Sequence, residues 1–152
     1  MTSVIILQKK TSWILLSLLF LFDAIVSYWG VVYMHGREAD LLIASVVEKY
    51  PILYFPLAPV LVGIIYVLEK SITKGAAIFI LKRWRFTDEN ILERILLSAI
   101  VLYWAVGNSS DNMIFILGYR ISDIWVRTAL VAIPITLLYI LYALRTNAPR
   151  FP

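Results

Sequence analysis

Four stretches of this sequence stay apolar for about the thickness of a lipid bilayer, and no other feature limits its folding so strongly. A helix that spans a membrane needs roughly 20 mostly apolar residues, with a usual range of about 17–25. The stretches fall at residues 13–34, 52–68, 95–117 and 124–144. Asp23, Ser17 and Ser27 interrupt the first, and Pro56 and Pro59 lie in the second. The third carries the polar cluster Asn108, Ser109, Ser110, Asp111 and Asn112, and the fourth has Arg127 near its start and Pro134 near its middle. Composition agrees: only 16% of the residues are charged, against about 25% in ordinary soluble domains. The 152 residues are too few for two full-sized domains, and residues 1–152 are read as a single integral membrane domain.

Four crossings put both ends of the chain on one side. The segments on that side hold Lys9, Lys10, Lys70, Lys74, Lys82, Arg83, Arg85, Arg94, Arg145 and Arg150, whereas the other side holds Arg37, Lys49, Arg120 and Arg127. Cytoplasmic loops carry the excess of Lys and Arg, so both termini are expected in the cytoplasm, in a multi-pass protein of the cell membrane. Lys9 and Lys10 ahead of an apolar run also resemble a cleaved signal. The run is too long for one, and no small-x-small cleavage site comes after it. It is read as a retained helix.

The expected architecture is all-α: a polytopic membrane protein with four transmembrane helices. A short interfacial helix over residues 41–50 follows the first, with Asp40 as its cap and Pro51 as its stop. A basic cytoplasmic segment separates the second from the third. The apolar run at residues 75–81 is too short to span, so it either prolongs the second helix or lies on the cytoplasmic surface. Lys82, Arg83 and Arg85 interleave with Trp84 and Phe86, which suits anionic lipid headgroups better than nucleic acid. Thr87, Asp88 and Glu89 then cap the next helix. Trp13, Trp84 and Trp125 fall near the expected interfaces, as aromatic belts do; Trp104 lies inside the third span.

Asp23 falls near the middle of its span. A carboxylate at that depth costs about 2.5–3.5 kcal/mol on insertion scales, so it faces protein or water rather than lipid. Ser27 and Gly30 follow it at helical spacing. Two roles are open to Asp23: a hydrogen bond that joins helices, or a ligand or proton site. Asn108, Asp111 and Asn112 share one face of the third helix at i, i+3 and i+4, with Asn108 at about the depth of Asp23. If those helices touch, a polar pocket opens outward towards Glu38 and Asp40. Oxygen ligands of this kind suit a hard cation or a proton rather than a soft metal, and no particular metal is assigned. Arg127 reaches the level of Asp111, so an Asp111–Arg127 ion pair that fixes helix register competes with a cation site there.

The absence of cysteine excludes disulfides, thiolate zinc sites, iron–sulfur clusters and c-type haem attachment. A single histidine, His35, excludes a bis-histidine haem within the chain, and no cofactor is expected. His35 with Ser109 or Ser110 makes a poor hydrolase dyad, because no Gly-x-Ser-x-Gly elbow surrounds either serine.

Asp23, Ala24, Ser27, Tyr28 and Gly30 late in a first helix, then Gly36, Arg37, Glu38, Ala39 and Asp40, form a pattern that resembles a family of small prokaryotic membrane proteins. That family has Asp-x-x-x-Thr/Ser-Tyr, then Glu-Ala-Asn-Pro, and an asparagine late in the third helix, where Asn108 stands here. The resemblance covers roughly residues 13–118 and departs at Asp40-Leu41, where the family has Asn-Pro. It implies a four-helix fold and a shared Asp23–Glu38–Asn108 site, and it supplies no activity.

Three functions are compatible with these residues. The first is an accessory or structural subunit of a larger membrane complex, which meets other membrane subunits or copies of itself through the bilayer. The second is a cation or proton transporter or channel built on Asp23, Asn108 and Asp111. The third is a membrane-embedded enzyme that uses a carboxylate acid–base pair on a lipid. Small size and the lack of cofactor ligands lean towards the first and away from an enzyme.

Overall fold

An apolar run has to satisfy its backbone polar groups internally, and a helix does so within one segment. The computed structural model describes residues 5–34, 43–84, 88–117 and 128–147. Among them there is no strand, and the helices are α1 (Lys9–Tyr33), α2 (Ala44–Val47), α3 (Tyr54–Trp84), α4 (Glu89–Trp104), α5 (Ser110–Ile116) and α6 (Ile133–Asn147). Two wider π-helical segments adjoin them, Ala105–Ser109 between α4 and α5 and Thr128–Ala132 before α6. Four stretches are long and apolar enough to cross a membrane: Lys9–Tyr33, Pro51–Ala76, Glu89–Ser109 and Leu130–Asn147.

Local chemistry explains several boundaries. Asp88 caps α4, its carboxylate accepting from the backbone N–H groups of Asn90 and Ile91 at 2.9 and 3.4 Å, which supplies partners for donors that a helix start leaves open. Pro51 opens a single 3-10 turn, Pro51–Leu53, that leads into α3. The apolar run at residues 75–81 continues α3 to Trp84, so the second helix is prolonged without a break. At the end of α6, Thr146 Oγ1 donates to the Tyr142 carbonyl and Asn147 Nδ2 to the Ala143 carbonyl, at 2.9 and 2.8 Å. Pro134, one residue into α6, has no N–H for the carbonyl four residues earlier, and the wide Thr128–Ala132 turns lie just before it.

Of the expected interfacial helix the structure describes residues 43–50, and among these only Ala44–Val47 is helical, with Val47 fully buried in the main core. An inserted valine anchors this turn to the bundle, which a helix lying along a surface would not need.

The bundle runs up and down. Lys9 and Glu93 pair near the starts of α1 and α4, so these two helices are parallel, and Lys70 of α3 meets Glu93 from a helix running the other way. Ala143 and Leu144, late in α6, pack on Leu92 and Ile95, early in α4. Burial on α1 recurs every fourth residue at Ser12, Leu16, Phe20 and Ala24, which gives one stripe down a helix. That stripe meets Tyr54, Ala58 and Val101. Phe20 stacks on Trp104 with ring centroids 4.2 Å apart, a contact worth about 0.5–1.5 kcal/mol beyond area. Close fit of this kind is what drives helix association wherever lipid rather than water is the surrounding solvent. Gly30 shows this fit: a Cβ there would stand 3.1 Å from the Phe115 ring, so the absence of a side chain lets α1 and α5 close together. α4 is the most enclosed of the long helices and α3 the least.

Candidate functional site

Among the described residues, polar side chains gather at three places in this apolar bundle. The first is the end at which α1 begins. Glu93, 7% exposed, takes Lys9 of α1 on one carboxylate oxygen and Lys70 of α3 on the other. One carboxylate thus ties three helices. Lys70 also lies over the Tyr66 ring, 5.8 Å from its centroid. Beside it, Arg94 and Ser98 reach the extended lead-in to α1. Arg94 donates to the Leu7 and Ile6 carbonyls at 3.1 and 3.2 Å, Ser98 Oγ accepts from the Leu7 N–H at 2.9 Å, and Tyr139 Oη donates to the Ile5 carbonyl at 3.1 Å. Backbone groups that precede the helix therefore find partners on α4 and α6.

The second place is the middle of α1. Asp23 Oδ1 accepts from Asn112 Nδ2 at 2.7 Å, which joins α1 to α5, and Asp23 has a further interaction beyond this bond. By residue count Asn108 lies nearer the level of Asp23, yet the bond comes from Asn112, four residues on. The π-helical segment Ala105–Ser109 lies just before α5 and alters which of its residues face α1,. Asn108 is half-buried in the π-helical segment Ala105–Ser109 and makes no side-chain hydrogen bond to a described residue. Ser27 is half-buried one turn beyond Asp23. The two π-helical segments pack against each other at this depth. Ser110 donates to the Val106 and Gly107 carbonyls, and the buried Ser109 Oγ and Trp104 Nε1 have no partner among the described residues. Trp104 belongs to the core against Phe20.

Glu38, Asp40 and Arg127 lie outside the described residues, so the outward opening of a pocket towards Glu38 and the Asp111–Arg127 pair fall outside them as well. Lys82 and Arg83 belong to the last turn of α3, and Arg85 lies outside the described residues. No group of three acidic or histidine side chains able to hold a metal occurs among the described residues.

The third place is one that the apolar pattern of the sequence does not announce. A cavity of about 210 Å³ opens between α3, α4 and α6, walled by Glu69, Ile72, Ala99, Tyr103, Thr136 and Ile140 among others. Glu69 is 1% exposed. Its Oε1 accepts from Thr73 Oγ1 at 2.7 Å, while its Oε2 and the Thr136 hydroxyl are both buried without a partner among the described residues. Glu69 falls one residue past the expected end of the second span, where an acidic residue reads as the start of a loop. The signal available was Thr73, four residues on, which shares its helix face. Glu93 escaped notice for the same reason, two residues before the expected start of the third span.

No family model matches this sequence, and no curated protein or solved structure is similar to it at a significant level.

Proposed function

We propose that this chain is a small helical subunit of a larger membrane assembly, with a mid-membrane aspartate that holds its own helices together. The hydrogen bond from Asn112 to Asp23 carries this reading. A carboxylate that serves a moving ion has to give up its partners in turn, whereas this one is engaged by a neighbouring helix of the same bundle. The weak enclosure of α3 supports the rest: its Gly63 faces open space, and residues of this size let another helix approach closely. In the proposed orientation both termini face the cytoplasm, and Lys82, Arg83 and Arg85 meet anionic headgroups.

Native purification in mild detergent and then mass spectrometry test the assembly. Co-purification with defined membrane partners is the expected result, and recovery as one homogeneous lone species overturns it. Orientation is tested with a single cysteine in this cysteine-free chain. Lys10→Cys should resist an impermeant thiol reagent in intact cells, and labelling from outside would reverse the topology.

A further inference from the structure

We propose that the outer side of the Lys9–Glu93–Lys70 clasp binds the phosphate of an anionic phospholipid, whose chains run inward along α1 and α3. These two helices run in opposite directions and pack along each other, and at this end they meet in two rungs. Lys9 and Lys70 form one rung through Glu93. Four residues on along α1 and four residues back along α3, Trp13 and Tyr66 form the next, with ring centroids 5.4 Å apart. Four residues of helix rise about 6 Å, so a pair of ammonium groups stands one turn from a pair of aromatic rings. Further in, Ile14 and Leu21 of α1 and Val67 and Val60 of α3 are exposed. Charge, then aromatic ring, then hydrocarbon is the order that the boundary of a lipid leaflet presents to a protein.

The clasp leaves donors to spare. An ammonium has three N–H donors. Lys9 and Lys70 each place one on Glu93, and their side chains remain 39% and 42% exposed. One carboxylate thus holds two cations side by side, which suits a phosphate with its several acceptor oxygens. Lys10, three residues before Trp13, and Lys74, four residues after Lys70, are exposed and share these helix faces,. The acidic side chains on the adjoining turns are Glu93 itself and Glu89, one turn before it on α4. Glu69 is 1% exposed and bonded to Thr73, away from a ligand on this surface, and Arg94 is engaged by the Leu7 and Ile6 carbonyls. Four lysines against two glutamates favour an anion. A soluble phosphate would use the lysines alone, whereas the rings and the apolar stripes beyond them fit a lipid. Lys82 follows Lys70 by twelve residues, about 18 Å along α3, so this site is separate from the basic segment assigned to headgroups above. It rests on the reading of the chain as a membrane protein and not on assembly with partners.

The test is native mass spectrometry of the whole chain, stripped of lipid in a neutral detergent and titrated with dioleoyl phosphatidylglycerol or dioleoyl phosphatidylcholine. One phosphatidylglycerol per chain should be retained in preference to phosphatidylcholine, whose choline opposes the lysines. Lys9→Gln and Lys70→Gln should each weaken that retention about fivefold, the size of one lysine's attraction to an anionic surface. Both variants keep a donor for Glu93, and Lys70→Arg should hold the lipid as the parent chain does. Lys49→Gln, at the opposite end of the bundle, should change nothing. Phosphatidylglycerol brominated high on its chains should quench tryptophan fluorescence, and Trp13→Phe should remove the quenched component. Equal retention of the two lipids, unchanged retention in both Lys9→Gln and Lys70→Gln, or no quenching that belongs to Trp13 would each overturn the proposal. So would displacement by inorganic phosphate, which assigns the site to a soluble anion, or loss of the lipid only when Lys82 and Arg83 are both changed to Gln. Detergent exposes both ends of the chain, so a reversed topology in cells leaves these results as they are, and the two failures are distinguishable.

Discussion

Two glutamates sit near the same end of this bundle and are used in opposite ways. Glu93 is buried with a lysine on each oxygen, whereas Glu69 is buried more deeply with one oxygen on Thr73 and the other without a partner among the described residues. A carboxylate in an apolar setting is tolerable when its lone pairs are taken and its charge is answered. Glu93 meets both conditions, and its removal should loosen α1, α3 and α4 together. Glu69 meets them in part, so its burial should cost stability rather than add to it.

The contrast can be broken by mutation, the largest effect first. Glu93→Ala should destabilise the detergent-solubilised protein by about 2 kcal/mol, below the 3–5 typical of a fully buried pair, since both lysine side chains are about 40% exposed and can turn to solvent. Thermal melting read by circular dichroism measures it, and an unchanged melting temperature would show that the clasp is ornamental. Glu69→Leu should move the other way and stabilise by about 1–2 kcal/mol, because it removes an unsatisfied buried acceptor and fills the space with an apolar side chain. A loss of stability in the same melt would mean that Glu69 is structural after all. Thr73→Val keeps the shape but strips the donor from Glu69 Oε1, at a cost of about 1 kcal/mol; its effect should vanish in the Glu69→Leu background, which a double-mutant cycle reads directly. Smallest is Asp23→Asn, expected to change stability by no more than about 0.6 kcal/mol, the average for interhelical hydrogen bonds measured in one membrane protein. A large loss there, or an ion-dependent melt that disappears in the variant, would return Asp23 to the role of a site.

How well each carboxylate could be read from sequence depends on its place in the apolar pattern. Asp23 interrupts a long apolar run, and a charge there stands out because hydrocarbon penalises it. Glu69 and Glu93 stand where apolar runs were expected to end or begin, and at such edges a charge looks like ordinary loop. The four long helices were legible for the reason Asp23 was, since crossing a bilayer requires a minimum length of apolar residues. Composition cannot supply rotation. The π-helical turns at Ala105–Ser109 and Thr128–Ala132 each alter the facing of the helix beyond them, and no apolar period reports so short a departure. The choice of Asn112 over Asn108 as the partner of Asp23 depends on that register. Likewise the run at residues 75–81 left two readings open, because continuation of a helix through Ser71, Thr73 and Gly75 is decided by packing rather than propensity.

The extended lead-in to α1 bears on the order of events during synthesis. Its backbone is held by Arg94 and Ser98 of α4 and by Tyr139 of α6, and the last of these bonds joins residues 134 apart in the chain. A chain made from its amino end at about 5–20 residues per second has α1 ready many seconds before α6 exists. Until then α1 can lean on α3 and, once it is made, on α4, whose Arg94 and Ser98 hold Ile6 and Leu7, while the Ile5 carbonyl still lacks Tyr139. The seam between first and last helix is therefore a closing step of biogenesis, and a ribosome stalled before Tyr139 should leave an open, protease-sensitive bundle.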